Sequence, residues 1–169
     1  MRFKEKILVS HFKVKKRKKA KLIWFHSASI GEFKSIIPIV EQLNINNQKL
    51  KFLITTSTLS SGNLAKIELR KFNNVEHRYF PFDITFLIDK FLQLWAPDKI
   101  LLVDSEIWPN MLLNLREKSI PHILLNARIT KRSFKKWKKL GLFSRKLFQS
   151  FDFTYPQNIE TKKYLKKFN

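Results

Sequence analysis

Three acids and one cluster of cations are the residues whose types and spacing could do chemistry in this chain. Glu32 directly follows Gly31 in "HSASIGE", just after the apolar run "KLIWF". A carboxylate in the first turn of a helix is favoured by the macrodipole, so the spacing reads as a helix cap. The same ionised group could take a proton from a hydroxyl as that oxygen attacks, which reads as a general base. Gly31 would let the backbone bend from strand to helix, and the small Ser29 would keep a crevice open beside it. Asp104 and Glu106 stand two apart in "DSEIWPN". In an extended segment they point the same way. Burying both is costly unless they are paired with Arg or Lys or face a polar ligand.

Two further segments carry polar chemistry. "NARITKRS" presents Asn126, Arg128, Lys131 and Arg132 together. An Arg so near a helix N-terminus is poor for the dipole and good for an anionic ligand; it could equally partner one of the acids. "TTSTLSSG" offers Ser57 among hydroxyls that either cap the next helix or hydrogen-bond a sugar or phosphate. The chain has no cysteine, which excludes disulfides and thiolate metal sites, and its four histidines show no ligand spacing. His26 and His122 read as strand residues. No G-x-G-x-x-G fingerprint, phosphate loop or G-x-S-x-G elbow is present.

The elements that must position these residues alternate along the chain. Buried strands are expected at 21–27, 50–57, 77–82, 99–105 and 122–127, with a short extended segment at 151–156. Helices are expected at 32–43 (with Pro38 as a kink), at 59–71 (with Leu64, Ile67 and Leu69 inward), after Asp83 as a cap, at 107–118, at 131–149 and at 158–168. Apolar strands alternating with amphipathic helices predict an α/β fold, a Rossmann-like parallel sheet with helices on both faces. Ligands of such sheets bind at the carboxyl ends of the strands, where all the segments above fall.

Charge is the unusual global property. Thirty-four Lys and Arg against 13 Asp and Glu give +21 in 169 residues. Such a surface attracts phosphates, in nucleic acid or in an anionic membrane. Part of the excess follows a composition rich in Lys, Asn, Ile and Phe. Residues 1–20 read as a basic lead-in, a solvated or anion-binding arm, and 21–169 as the folded domain. The helix at 131–149 carries eight Lys and Arg and no acid, with Phe134, Trp137, Leu140, Phe143, Leu147 and Phe148 on a stripe. It would pack that stripe on the sheet with its basic face in solvent or against lipid headgroups. No apolar run approaches the roughly 18–20 residues of a membrane span.

Taken in order, "HSASIGE", "TTSTLSSG", "HRYFPFD", "DSEIWPN", "NARITKRSF" and "YPQNIET" resemble the transferases of 3-deoxy-D-manno-octulosonic acid (Kdo), from about residue 20 to the end. The resemblance implies the N-terminal half of a GT-B glycosyltransferase that moves Kdo from CMP-Kdo to a lipid A precursor in lipopolysaccharide synthesis, with no cofactor. It implies Glu32 as the base, Asp104 as the first acid of the family's E-T-E-L-W-P-N segment, supporting the transition state, and Ser29, Gly31, Ser57, Glu106, Asn126, Arg128 and Lys131 as substrate-binding residues. Asp104 is shorter than the family's glutamate. The family usually has a membrane anchor and a CMP-binding second domain, and neither reads from this sequence. The expectation is therefore an acceptor-binding half, peripheral on the cytoplasmic face of the bacterial inner membrane, its donor domain supplied either in trans by a separately encoded chain or by an unclipped reading frame. A non-catalytic anionic-glycolipid-binding remnant is the alternative. A nucleic-acid-binding protein rests on charge alone, because the aromatics fall on buried stripes rather than among the basic runs.

Overall fold

The computed structural model describes residues 3–12 and 20–168. Part of the basic lead-in, including the run at 13–19, lies outside the described residues. Six strands form one sheet: β1 (Leu22–Ser27), β2 (Lys51–Thr56), β3 (Val75–Tyr79), β4 (Lys99–Val103), β5 (His122–Ala127) and β6 (Phe153–Pro156). Their order is β3-β2-β1-β4-β5-β6 and every pairing is parallel, so the expected Rossmann-like α/β sheet is present. The helices are α1 (Phe3–Ile7), α2 (Ile30–Asn46), α3 (Leu59–Glu68), α4 (Thr85–Trp95), α5 (Pro109–Glu117), α6 (Lys131–Lys139), α7 (Leu142–Phe148) and α8 (Ile159–Leu165).

Strand alternation builds two cores. Trp24 and Leu53 face one side, where Phe91 of α4, Met111 of α5 and Phe148 of α7 pack. Phe25, Phe52 and Ile54 face the other, against Phe33 and Ile36 of α2 and Ala65 of α3. Both faces are covered, which is why the strands read as continuous apolar runs.

Four local expectations change. Residues 131–149 are two helices, because Gly141 takes φ 54° and ends the first. Leu140 and Phe143 are consequently exposed. In α3, Ser61, Gly62 and Ala65 face inward, with Leu69 just beyond, while Ile67 is exposed and Leu64 only half-buried. The reason is close packing: a Cβ on Gly62 would stand 2.2 Å from the Tyr79 hydroxyl, so only small residues fit there. Asp83 does not cap α4. Its carboxylate accepts the backbone N–H of Asn110 (3.0 Å) and Met111 (2.8 Å), capping α5 instead, and Asn110 Nδ2 donates back to its carbonyl. Pro38 sits inside a helix that runs unbroken from Ile30 to Asn46.

Candidate active site

The sheet order reverses between β1 and β4, which opens a crevice at their carboxyl ends. Glu32, in the first turn of α2, comes off β1. Its Oε2 accepts the Ala28 N–H at 2.7 Å and its Oε1 accepts the Ser29 hydroxyl at 2.9 Å, while the Glu32 N–H donates to Ser29 Oγ. This is a capping arrangement in which Ser29 is the N-cap. Gly31 is helical and exposed, with no positive φ, so the turn does not require a glycine; the bend comes from the extended Ser29. No atom lies within 4 Å of the place a Gly31 Cβ would occupy, which leaves the backbone open to close approach.

Asp104 ends β4, directly beside β1. Its φ is 63°, in the left-handed region, and Asn126 at the end of β5 has φ 50°. Asp and Asn tolerate that region best among residues with a Cβ. The strain is held by backbone bonds: Asp104 N–H donates to Leu125 O, and Arg128 N–H donates to Asp104 O. Asp104 Oδ1 is buried and has no hydrogen-bond partner. Burial raises the Asp104 pKa above the ordinary carboxylate value, the negative charges of Glu32 and Glu106 raise it further, and Arg128 opposes them. Glu32 and Asp104 therefore feel each other across the crevice.

The positive φ of Asp104 sends Glu106 a different way from an extended pair. Glu106 turns inward and is 9% exposed. Its Oε2 accepts from His26 Nε2 at 3.0 Å and from Trp108 Nε1 at 2.7 Å. Burial alone would raise the Glu106 pKa, but the bonds and charge of His26 and the Trp108 bond outweigh it and hold it low. The other ring nitrogen of His26 meets Thr55 Oγ1 at 2.9 Å, and Thr55 in turn accepts from Trp24 Nε1 at 2.8 Å. Trp24 donates to Thr55, and His26 and Trp108 donate to Glu106, while His26 Nδ1 lies within reach of both the Thr55 hydroxyl and its carbonyl (3.2 Å), so every polar group of the chain has a partner. The His26 ring also stacks on Phe80, 4.0 Å between centroids. Sequence reasoning missed this network. The available signal was a histidine inside a buried strand, since a buried imidazole must find partners.

The remaining candidates lie on the same rim. Asn126 near the end of β5, and Arg128 and Lys131 beyond it, are exposed, and Arg128 makes no salt bridge among the described residues. Ser57, at the end of β2, uses its carbonyl to accept from the buried Lys6 Nζ at 2.8 Å. Burial lowers the Lys6 pKa. Among the described residues no group of His, Asp and Glu is arranged to hold a metal ion.

A family model described as 3-deoxy-D-manno-octulosonic-acid transferase (kdotransferase) matches residues 1–169. The chain belongs to this family. Among curated relatives of the Kdo transferases, it is 31% identical to the 3-deoxy-D-manno-octulosonic acid transferase of Rickettsia prowazekii over 148 residues, 88% of this chain and 31% of that protein. It is 39% identical to a mitochondrial protein of Arabidopsis thaliana, named as a probable transferase of the same sugar acid, over 69% of this chain and 26% of that protein. The chain thus spans between a quarter and a third of the length of these relatives. Among solved structures, the UDP-GlcNAc 2-epimerase of Neisseria meningitidis superposes with a TM-score of 0.58 at 13% identity, covering 87% of this chain and 43% of that one. At that identity the likeness shows the fold alone, a Rossmann-like sheet of the GT-B type.

Proposed function

We propose that this chain is the acceptor-binding, N-terminal half of a glycosyltransferase that moves Kdo from CMP-Kdo to a lipid A precursor. In this reading residues 21–169 form the acceptor-binding domain and a second domain holds the donor. The observation that carries it is that Glu32 and Asp104 follow the adjacent strands β1 and β4, at their carboxyl ends where the sheet order reverses, in a chain of the Kdo transferase family. The acceptor hydroxyl loses its proton to Glu32 as its oxygen bonds to the anomeric carbon of Kdo. The bond from that carbon to the phosphate oxygen breaks, and CMP leaves with the electron pair, with inversion at the anomeric carbon. Asp104, with a buried oxygen lacking a partner, faces the positive charge that develops at the sugar. Arg128 and Lys131, with Asn126 beside them, meet anionic groups of the substrates, and Ser29, Gly31 and Ser57 border the acceptor. Glu106 serves from below, holding the turn that carries Asp104.

The capping geometry gives a clean test. A glutamine can accept the Ala28 N–H with its carbonyl oxygen and turn its amide N–H to Ser29 Oγ, so Glu32→Gln keeps the helix start and removes the proton acceptor. With a donor domain supplied, Glu32→Gln is expected to slow Kdo transfer from CMP-Kdo by about 10²-fold or more, the usual contribution of a general base. The melting temperature should stay within about 2 °C of the parent. An unchanged rate would show that Glu32 only caps the helix. Binding of phosphorylated glycolipid without transfer would leave the non-catalytic reading.

A further inference from the structure

We propose that the cleft between α6, α7 and α8 is a seat for the headgroup of an anionic membrane phospholipid. The cleft holds about 260 Å³ and is walled by Phe134, Leu142 and Phe168, with Lys138, Arg145 and Lys167 on its rim. The three cations come from three separate segments: Lys138 from α6, Arg145 from α7 and Lys167 from the turn after α8. None of them makes a salt bridge among the described residues. Lys167 Nζ lies 5.6 Å from the centre of the Phe134 ring, so its charge already faces the cleft wall. Neither α6 nor α7 contains an acid, and Lys135, Lys136, Lys139 and Lys146 extend the positive surface around it.

Charge alone would suit any polyanion, and the apolar residues decide between them. At the Gly141 bend Leu140, Leu142 and Phe143 are 50%, 74% and 42% exposed. The two leucines, the more exposed of the three, gain nothing from phosphates in water and offer no flat face for a base to stack on, which leaves Phe143 as the single ring at the bend. They gain free energy by entering the boundary between headgroups and acyl chains, while neighbouring cations meet the lipid phosphates. A protein partner of matching chemistry would have to present acids around an apolar knob. A phospholipid surface presents that combination everywhere. The helix that leads to this bend begins at Lys131, three residues beyond Arg128 on the crevice rim, so the bend lies about one helix length, roughly 15 Å, from that rim. The inference deepens the proposed function and rests on it for its purpose, since a lipid-linked acceptor is met at a membrane.

The test uses vesicles that contain no glycolipid and no sugar donor, so it stands apart from the transfer assay. Vesicles of one part phosphatidylglycerol to two parts phosphatidylcholine should co-sediment with the chain, and pure phosphatidylcholine vesicles should not. The triple variant Lys138→Ala, Arg145→Ala, Lys167→Ala should bind at least tenfold more weakly. A control triple away from the cleft, on α2 and around the start of β2 (Lys34→Ala, Lys49→Ala, Lys51→Ala), should stay within twofold. Because the chain has no cysteine, Leu142→Cys can carry a single environment-sensitive fluorophore. Its emission should shift to the blue on anionic vesicles, and the same label at Lys49→Cys should not respond. A loss below tenfold, a control triple that loses as much, or a silent label at 142 would overturn the proposal. So would full displacement by inorganic phosphate or by duplex RNA, which would assign the cleft to free anions or to nucleic acid.

Discussion

Asp104 carries a buried carboxylate oxygen with no partner, next to a second acid, on a backbone in the left-handed region. A fold selected for stability alone gains nothing from that arrangement, and such strain concentrates at functional sites. The sign of its linkage follows from its raised pKa. Folded Asp104 keeps its proton to higher pH than the unfolded chain does, so its contribution to stability falls as pH rises from the ordinary carboxylate value through the raised one. Asp104→Asn is therefore expected to melt no lower than the parent at pH 7, and its advantage should shrink toward pH 4. Thermal melts across that range check this. Transfer by the same variant, with the donor domain supplied, should fall about tenfold or more if the charge meets the transition state. Glu32 differs in kind: both its oxygens are engaged in the cap, so its two roles share one geometry, and Glu32→Gln separates them.

Elements place these residues through contacts that are easily named. The turn after β4 is braced from beneath by Glu106, His26 and Trp108, and from the side by Leu125 and Arg128. Helix α5 begins with a proline and has no cap from Trp108, so Asp83 supplies one across 27 residues of sequence. Helix α3 lies against β3 at the contact between Gly62 and Tyr79. Gly62→Ala would gain about 1 kcal/mol in helix propensity. It would also force the buried Tyr79 ring aside, at about 1–3 kcal/mol or more for overpacking a closed site. A Cβ only 2.2 Å from the hydroxyl places the balance on the destabilising side, by about 1–2 kcal/mol. Chemical denaturation of the variant measures it.

At the scale of the whole molecule, the half-buried His77 and the buried His122 link stability to pH. Burial lowers the His77 pKa to about 4, helped by the charges of Arg78 and Lys66 and opposed by Glu5. His122 is lowered by burial too, against its bond to the Ile120 carbonyl and the charge of Asp152. The unfolded chain binds these protons near the ordinary histidine value, so stability is complete above it and falls as pH drops toward the folded value. His77 alone is expected to contribute on the order of 3 kcal/mol to the loss between pH 7 and pH 4. Denaturation of His77→Asn at both pH values should show a correspondingly smaller loss. Among the described residues no helix is long and apolar enough to cross a membrane. The bend at Gly141 puts exposed apolar side chains beside a cluster of cations.

The sequence by itself determined the parallel α/β sheet, the six strands and the segments that reach the crevice, because apolar period and turn chemistry are local signals. It also held the family, through six short segments in order. It did not hold the roles of Asp83, His26 and Glu106. Each of these meets its partner from 27 to 80 residues away, and a spacing of two between Asp104 and Glu106 says nothing once one φ turns positive. The break at Gly141 was similarly hidden, since an amphipathic stripe continues through a glycine on paper. Only tertiary structure decided which acid faces the crevice and which is buried, because burial and long-range hydrogen bonds exist only after the sheet has brought distant strand ends together.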